Sequence, residues 1–443
     1  MPLSRSLSRI ASGLRFDAQE LSGGLGDIGV MAPIVATLII SNGFNATSVL
    51  FVFGVTYLVT GLYFRIPVPV QPLKAMAAIA IAQGLSPEVV SAAGLVMAAA
   101  LLLLAVSGLM RPLSTLFTRP VVRGIQLAVG LLLVQSGIRL AASDHIIRGG
   151  HDVVIRLAGG DVPIGLLVAA GLVPLILLGT SRTRIPFMII FLPPAILAGV
   201  LLSPSPLAGL ALGPTAPSPR LPDAATLFTA FAVLVLPQLP LTLGNAVVAS
   251  TDTARGYFGQ RASRVSHRSM LISKAIANTF AGLLGGMPIC HGAGGLTAHY
   301  RFGARTGGAT VMLGVILLVL ALGFGAGSAE MLALIPLPVL GALLGLVGLQ
   351  HSLLARDVRG WSEVGVTIAI AAVGLSSGNL AFGFLAGMLA DQSLRLAGRL
   401  RLKVHRPTQV PPQLDAGWSQ PDRLCEPAEL TVGENRTPRP QAA

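Results

Sequence analysis

The chain has 443 residues, 53% of them hydrophobic and 11% charged, with a mean hydropathy of +0.76. Soluble domains carry about 25% charged residues, so this composition excludes a string of water-soluble domains and defines a polytopic membrane protein. The net charge of +13 does not indicate nucleic acid, because the arginines lie in short loops and at the ends of apolar segments, with no basic stripe interleaved with aromatics. The two cysteines, Cys290 and Cys425, imply neither a disulfide framework nor a structural metal, and no cofactor is expected.

Residues 1–20 are basic and precede an apolar stretch, as a signal peptide would, but Leu21–Ile40 contains Asp27 and four glycines and opens a series of similar segments. It reads as the first membrane span. Further apolar windows follow near 47–65, 72–84, 88–110, 120–139, 163–180 and 185–203. After a Pro-rich loop at 204–222, a second set occupies 223–250, 266–285, 291–301, 308–326, 329–349, 361–376 and 380–396. The expected fold is all-α, with about 14 spans in two repeats, 21–203 and 223–397. An odd number of spans in each half forces the halves into opposite orientations, the arrangement of an inverted repeat.

Lys and Arg concentrate in alternate connections, among them Arg65, Arg111, Arg119, Arg123, Arg182, Arg255, Arg301, Arg356 and Arg359. By the positive-inside rule these face the cytoplasm, which places both termini there, in a cell (inner or plasma) membrane. Residues 398–443 begin basic and then turn polar and Pro-rich, a composition that cannot bury a core and predicts a disordered tail.

The third span of each half is interrupted. Ile66–Lys74 reads Ile-Pro-Val-Pro-Val-Gln-Pro-Leu-Lys, and Gly285–Gly295 reads Gly-Gly-Met-Pro-Ile-Cys-His-Gly-Ala-Gly-Gly. Backbone at bilayer depth needs internal hydrogen-bond partners, so such breaks survive only when buried in protein or lining a cavity. Each reads as extended chain followed by a short helix, with Pro72 at the first helical position of a helix running to Gln83. Lys74 then falls in the first turn, where the helix dipole disfavours a cation by about 0.3–1 kcal/mol unless an anion binds there. In the second half, Gly292, Ala293, Gly294 and Gly295 open backbone N–H groups at a helix start, beside His291. Two helix ends of about +0.5 charge each, plus Lys74, suit a tetrahedral dianion.

The bland reading is that these glycines and prolines are packing points and kinks, as they commonly are in membrane helices. Their matched placement in the two halves favours a site. Asp27 reads as a partner of Lys74, a cap in a broken first helix, or a proton carrier. His291 reads as a donor to substrate or a structural group, and as the only histidine at membrane depth. Gln238 and Asn245 offer neutral donors in the eighth span, whereas Lys274 and Asn278 read as packing groups in the ninth.

Pro67–Lys74, Met287–Leu296, Tyr300–Arg305 and the opening Ser22–Gly29 together resemble the molybdate transporter family, relatives of the sulfate permeases. Leu73 departs from that pattern, where methionine is expected. The resemblance implies a seven-plus-seven fold with core and gate domains and half-helices at spans three and ten. It maps the substrate site onto Gln71, Lys74 and His291 through Gly295, and more weakly onto Asp27, Gln238 and Asn245. The function it implies is molybdate import by secondary transport, with a proton as co-substrate because an inward-negative potential opposes dianion entry. The bilayer, the oxyanion, the proton and a second copy in a homodimer are the expected partners. Sulfate transport, a passive anion channel and a nucleobase permease are the alternatives; an intramembrane enzyme lacks a nucleophile with its base.

Overall fold

The computed structural model describes residues 13–147, 154–157, 160–182, 187–202, 211–217 and 221–404. The expectations for the N-terminal segment, for most of the 204–222 loop and for the tail beyond 404 lie outside the described residues. Residues Met1–Ala397 form one compact unit and Gly398–Ala443 a second.

The first span is broken. Helix α1 (Ala18–Leu25) starts where Asp17 accepts the Glu20 amide at 2.9 Å, and it is bent by 49° from α2 (Ile28–Asn42) at Gly26–Asp27. Helix α3 (Ala46–Phe64) is capped by Asn45, which accepts the Ser48 amide at 2.9 Å.

The chain then extends into the short strand β1 (Gln71–Pro72) before α4 (Lys74–Gln83). Pro72 therefore sits in a strand, and not at the first helical position that the sequence suggests. Prolines at 67, 69 and 72 bias the residues before them to extended backbone, and this holds the chain out of the helix until Leu73. There follow α5 (Pro87–Ser107), α6 (Met110–Leu116), α7 (Arg119–Ala141), the hairpin β2 (Val154–Leu157) with β3 (Gly160–Pro163), α8 (Ile164–Arg182) and α9 (Phe187–Leu202). The hairpin lies in a connection for which the sequence suggested no element.

The eighth span, α10 (Ala224–Ala262), is longer than its apolar window and contains π-helical turns at Ala230–Val235 and Gly244–Ala249. Arg255, expected in a connection, lies on this helix, because Ser250–Phe258 carries its polar residues on one face and continues the helix. Next come α11 (His267–Leu283), the strand β4 (Ile289–Cys290), α12 (Ala293–Arg301) and α13 (Gly308–Phe324).

The window at 329–349 is not one span. It divides into α14 (Ser328–Ala333) and α15 (Leu337–Leu353), because Pro336 cannot donate and disfavours helix at Ile335. The amide of Leu337 bonds to the Ile146 carbonyl instead, at 2.8 Å. Helices α16 (Trp361–Ser376) and α17 (Leu380–Val404) complete the fold, the latter running past its expected end at 396.

Among the described residues, five helices are long and apolar enough to cross a bilayer, or six if α1 and α2 count as one span; five further apolar helices are shorter. Close packing rests on small residues. A Cβ on Gly137 would lie 2.5 Å from the Gly341 carbonyl and one on Gly341 equally close to the Gly137 carbonyl, so α7 and α15 cross with backbones in contact.

Candidate functional site

The two interruptions meet. Strands β1 and β4 pair antiparallel, Gln71 opposite Cys290 and Pro72 opposite Ile289, and the Leu73 amide extends the contact to the Pro288 carbonyl at 3.0 Å. Backbone groups that would be orphaned at membrane depth thus satisfy one another across the halves. Asn278 of α11 holds the other edge of β4, accepting the Ile289 amide and donating to its carbonyl. Directly after each strand a half-helix begins.

The start of α12 is open. Gly292 is its N-cap with no side-chain capping bond, Ala293 is half-buried, and Gly294 is exposed with no heavy atom within 4 Å of where a Cβ would stand. At Gly292 a Cβ would lie 2.9 Å from Gln71 Oε1, 3.5 Å from Asn245 Nδ2 and 3.9 Å from Lys74 Nζ. At Gly295 it would lie 2.7 Å from Asp27 Oδ2 and 2.8 Å from Gln71 Nε2. These two glycines are where Asp27, Gln71, Lys74 and Asn245 converge on one helix terminus, and any side chain there would displace them.

The polar groups form a short relay. Gln71 Nε2 donates to Asp27 Oδ1 at 2.5 Å, and Lys74 Nζ donates to Gln71 Oε1 at 3.1 Å. Asp27 therefore reaches Lys74 through Gln71, without a direct ion pair. It occupies the N-cap position of α2 yet makes no side-chain capping bond, contrary to the capping role considered for it.

Gln238 and His291 are engaged elsewhere. Gln238 Oε1 accepts the amides of Ala75 and Met76 at 2.8 and 3.2 Å, and its Nε2 donates to Thr242. It caps α4, with its carbonyl oxygen turned to that helix and one of its two amide hydrogens on Thr242. His291 has Nδ1 on the Pro69 carbonyl at 2.8 Å and Nε2 on the Ser273 hydroxyl at 2.9 Å. The carbonyl can only accept, so Nδ1 carries hydrogen, and the ring is a brace between the two interruptions. Lys274 is fully buried, its Nζ on the Ala246 carbonyl within the second π turn at 2.7 Å. At the end of that π turn the Ser250 hydroxyl lies 2.9 Å from the Asn245 carbonyl and 2.6 Å from the His291 carbonyl, linking the turn to the second interruption.

Sequence reasoning missed His299, which is fully buried on α12 with Nδ1 on the Gly23 carbonyl, so His291 is not the only histidine at that depth. It also missed Glu20, buried and accepting the amides of Arg305 and Thr306. A lone histidine in a helix carries no spacing signal, and Glu20 sat in what read as a polar N-terminal segment. No group of three metal-ligating side chains is present among the described residues.

Half-helices joined by a strand pair, with a buried lysine and open amides at the junction, are the arrangement of a membrane transporter. A family model described as "Molybdate transporter of MFS superfamily" matches residues 19–133 and 230–350, which include both interruptions. Molybdate transporter 2 of Arabidopsis thaliana is 30% identical, covering 86% of this chain and 88% of the relative. Molybdate transporter 1 of the same plant is 32% identical over 89% and 91%, and Molybdate transporter 1 of Chlamydomonas reinhardtii 30% identical over 84% and 90%. The chain belongs to the molybdate transporter family, and it is an integral membrane protein whose relatives are transporters and not enzymes. Its fold is shared with the transmembrane domain of a cyanobacterium bicarbonate transporter, BicA, at TM-score 0.58 and 19% identity, covering 84% of this chain and 96% of that one. SLC26A9 aligns at TM-score 0.58 and 15% identity, over 90% and 70%.

Proposed function

We propose that this protein imports molybdate by secondary active transport coupled to protons, with the anion seated between the starts of α4 and α12. The observation that carries this is the convergence of Lys74, Gln71 and Asn245 on the open N-terminus at Gly292. Such a terminus offers N–H donors and about +0.5 charge, and Lys74 adds a full unit. Ala293 and Gly294 supply backbone donors, Gly295, whose amide bonds the Gly292 carbonyl at 3.1 Å, lets Asp27 and Gln71 approach the helix, Gln238 and His291 hold the two half-helices in place, and Asp27 supports Gln71.

In this reading residues 21–203 and 223–397 are inverted repeats of seven spans each, with both termini cytoplasmic. The test is uptake of molybdate into proteoliposomes with sulfate as competitor. Accumulation against a gradient, driven by an inward proton gradient and resistant to excess sulfate, is the expected result. Preference for sulfate would reassign the substrate, and equilibration without accumulation would make the protein a channel.

A further inference from the structure

Gln71 faces two ways at the centre of the site, and the direction of its amide is set by its neighbours. An ionised carboxylate only accepts hydrogen bonds, so Asp27 draws the Nε2 end of the amide to itself at 2.5 Å. The Oε1 end is left beside Gly292, 2.9 Å from the position of a Cβ there, where it also takes a hydrogen from Lys74. Both features work against an anion: an electron-rich oxygen edges the seat, and the lysine is partly occupied. The second carboxylate oxygen, Asp27 Oδ2, is buried without a hydrogen-bond partner and lies beside Gly295. A buried acceptor left unsatisfied is costly, and a proton relieves that cost.

We propose that Asp27 is the proton-binding site of the transport cycle and that Gln71 passes its protonation to the anion seat by reversing its amide. The inference rests on the proton-coupled anion reading above. A proton from water forms an O–H bond on the Asp27 carboxylate, and no other covalent bond changes. The protonated carboxyl is a donor. Half-turns about the terminal torsions of Asp27 and Gln71, which are soft and roughly two-fold, let it donate to Gln71 Oε1. The Nε2 hydrogens then face Gly292, and Lys74 Nζ is released toward the same point.

The local charge changes in the same sense. Two helix ends of about +0.5 each with Lys74 and an ionised Asp27 sum to roughly +1; with Asp27 neutral they sum to roughly +2, which matches a dianion. Linkage is reciprocal, so a seated dianion raises the proton affinity of Asp27 by the factor that the proton raises anion affinity.

The other titratable groups around Asp27 are Lys74 on α4, Tyr57 on α3, Cys290 on β4 and His299 on α12, and His351 on α15 lies within electrostatic reach of Lys74. Tyr57 faces the Val70 backbone without a hydrogen bond of normal geometry, and its ring lies 6.4 Å from that of His299, whose Nε2 has no partner. Four residues after Gly295, His299 shares its face of α12. Glu20, one helix back, is held by the Arg305 and Thr306 amides. Of all these groups, Asp27 and Lys74 bond directly to the amide that borders the seat, and Asp27 is the acid.

The test is isothermal titration of molybdate into the purified full chain between about pH 6 and about pH 8, in buffers of differing ionisation enthalpy so that protons taken up are counted. Wild type is expected to lose affinity as pH rises, by up to about tenfold per unit for one linked proton. In Asp27→Asn the side-chain NH2 donates to Gln71 as the protonated carboxyl does. The variant should bind at the upper pH as wild type binds at the lower, with a flat profile and no proton uptake. Gln71→Met, which leaves Asp27 in place and cuts the relay, should bind weakly with a shallower slope. A wild-type slope and proton count in Asp27→Asn, or a wild-type slope in Gln71→Met, overturns the proposal. A flat wild-type profile overturns it while leaving the molybdate reading standing. Wild type that binds sulfate and not molybdate, with the slope intact, removes the molybdate reading and supports the relay.

Discussion

Asn278 grips Ile289 by both of its backbone groups, accepting the amide at 2.8 Å and donating to the carbonyl at 3.0 Å. The side-chain amide thus acts as a third strand in a two-stranded pair, closing the edge of β4 that β1 does not cover. Replacing Asn278 with leucine should orphan a buried donor and a buried acceptor, each costing about 1–3 kcal/mol. The expected outcome is a clear drop in the melting temperature of the detergent-solubilised protein, together with weaker anion binding because Gly292 is no longer held beside the Gln71 side chain.

The two buried lysines should separate by experiment. Lys74→Ala removes the cation at the seat; charge-assisted hydrogen bonds are worth about 1.5–3 kcal/mol, or about 10- to 100-fold in affinity. Lys274→Ala uncovers the Ala246 carbonyl and leaves a cavity, so it should lower thermal stability while anion affinity changes much less. Paired melting curves and binding isotherms on both variants check this. Equal affinity of wild type and Lys74→Ala would remove Lys74 from the seat.

Three glycines at the start of α12, at 292, 294 and 295, predict a pattern. Gly292→Ala and Gly295→Ala push a methyl group to within 2.9 Å of Gln71 Oε1 and 2.7 Å of Asp27 Oδ2 respectively, and both should weaken binding strongly. Gly294→Ala meets open space and should bind nearly as wild type. Uniform loss across all three would point to a need for glycine's backbone freedom in place of close approach.

Gln238→Glu distinguishes capping from charge. A carboxylate can still accept the Ala75 and Met76 amides and is favoured at a helix N-terminus by about 0.3–1 kcal/mol, so the melting temperature should hold. The added negative charge lies behind the anion seat, and molybdate affinity should fall. Gln238→Leu should instead lose about 1 kcal/mol of stability, as uncapped helices do.

The site was legible to the extent that it broke a pattern. Lys74, Pro67, Pro69 and the run Gly292–Gly295 stand out because membrane segments are otherwise uniformly apolar, and polar or helix-breaking residues there need a reason. Partnership was not legible. Nothing in the spacing of Gln238 says that its carbonyl turns to α4 and not to a ligand, or that His291 spends both nitrogens on Pro69 and Ser273; those choices depend on which helices adjoin. The break at Pro336 was visible as a proline yet read as part of one span, since an apolar window averages over it. In a bilayer every face of a helix is apolar, which erases the periodicity that marks helix ends in water.

The ladder between Gln71–Pro72 and Ile289–Cys290, extended by Leu73 to Pro288, ties two stretches more than two hundred residues apart into one rigid saddle. Neither half-helix start can swing away from the other without breaking the hydrogen bonds of this buried ladder. On the proposed reading, an anion held there would travel with both half-helix starts together, and access from either side would have to come from the helices around them.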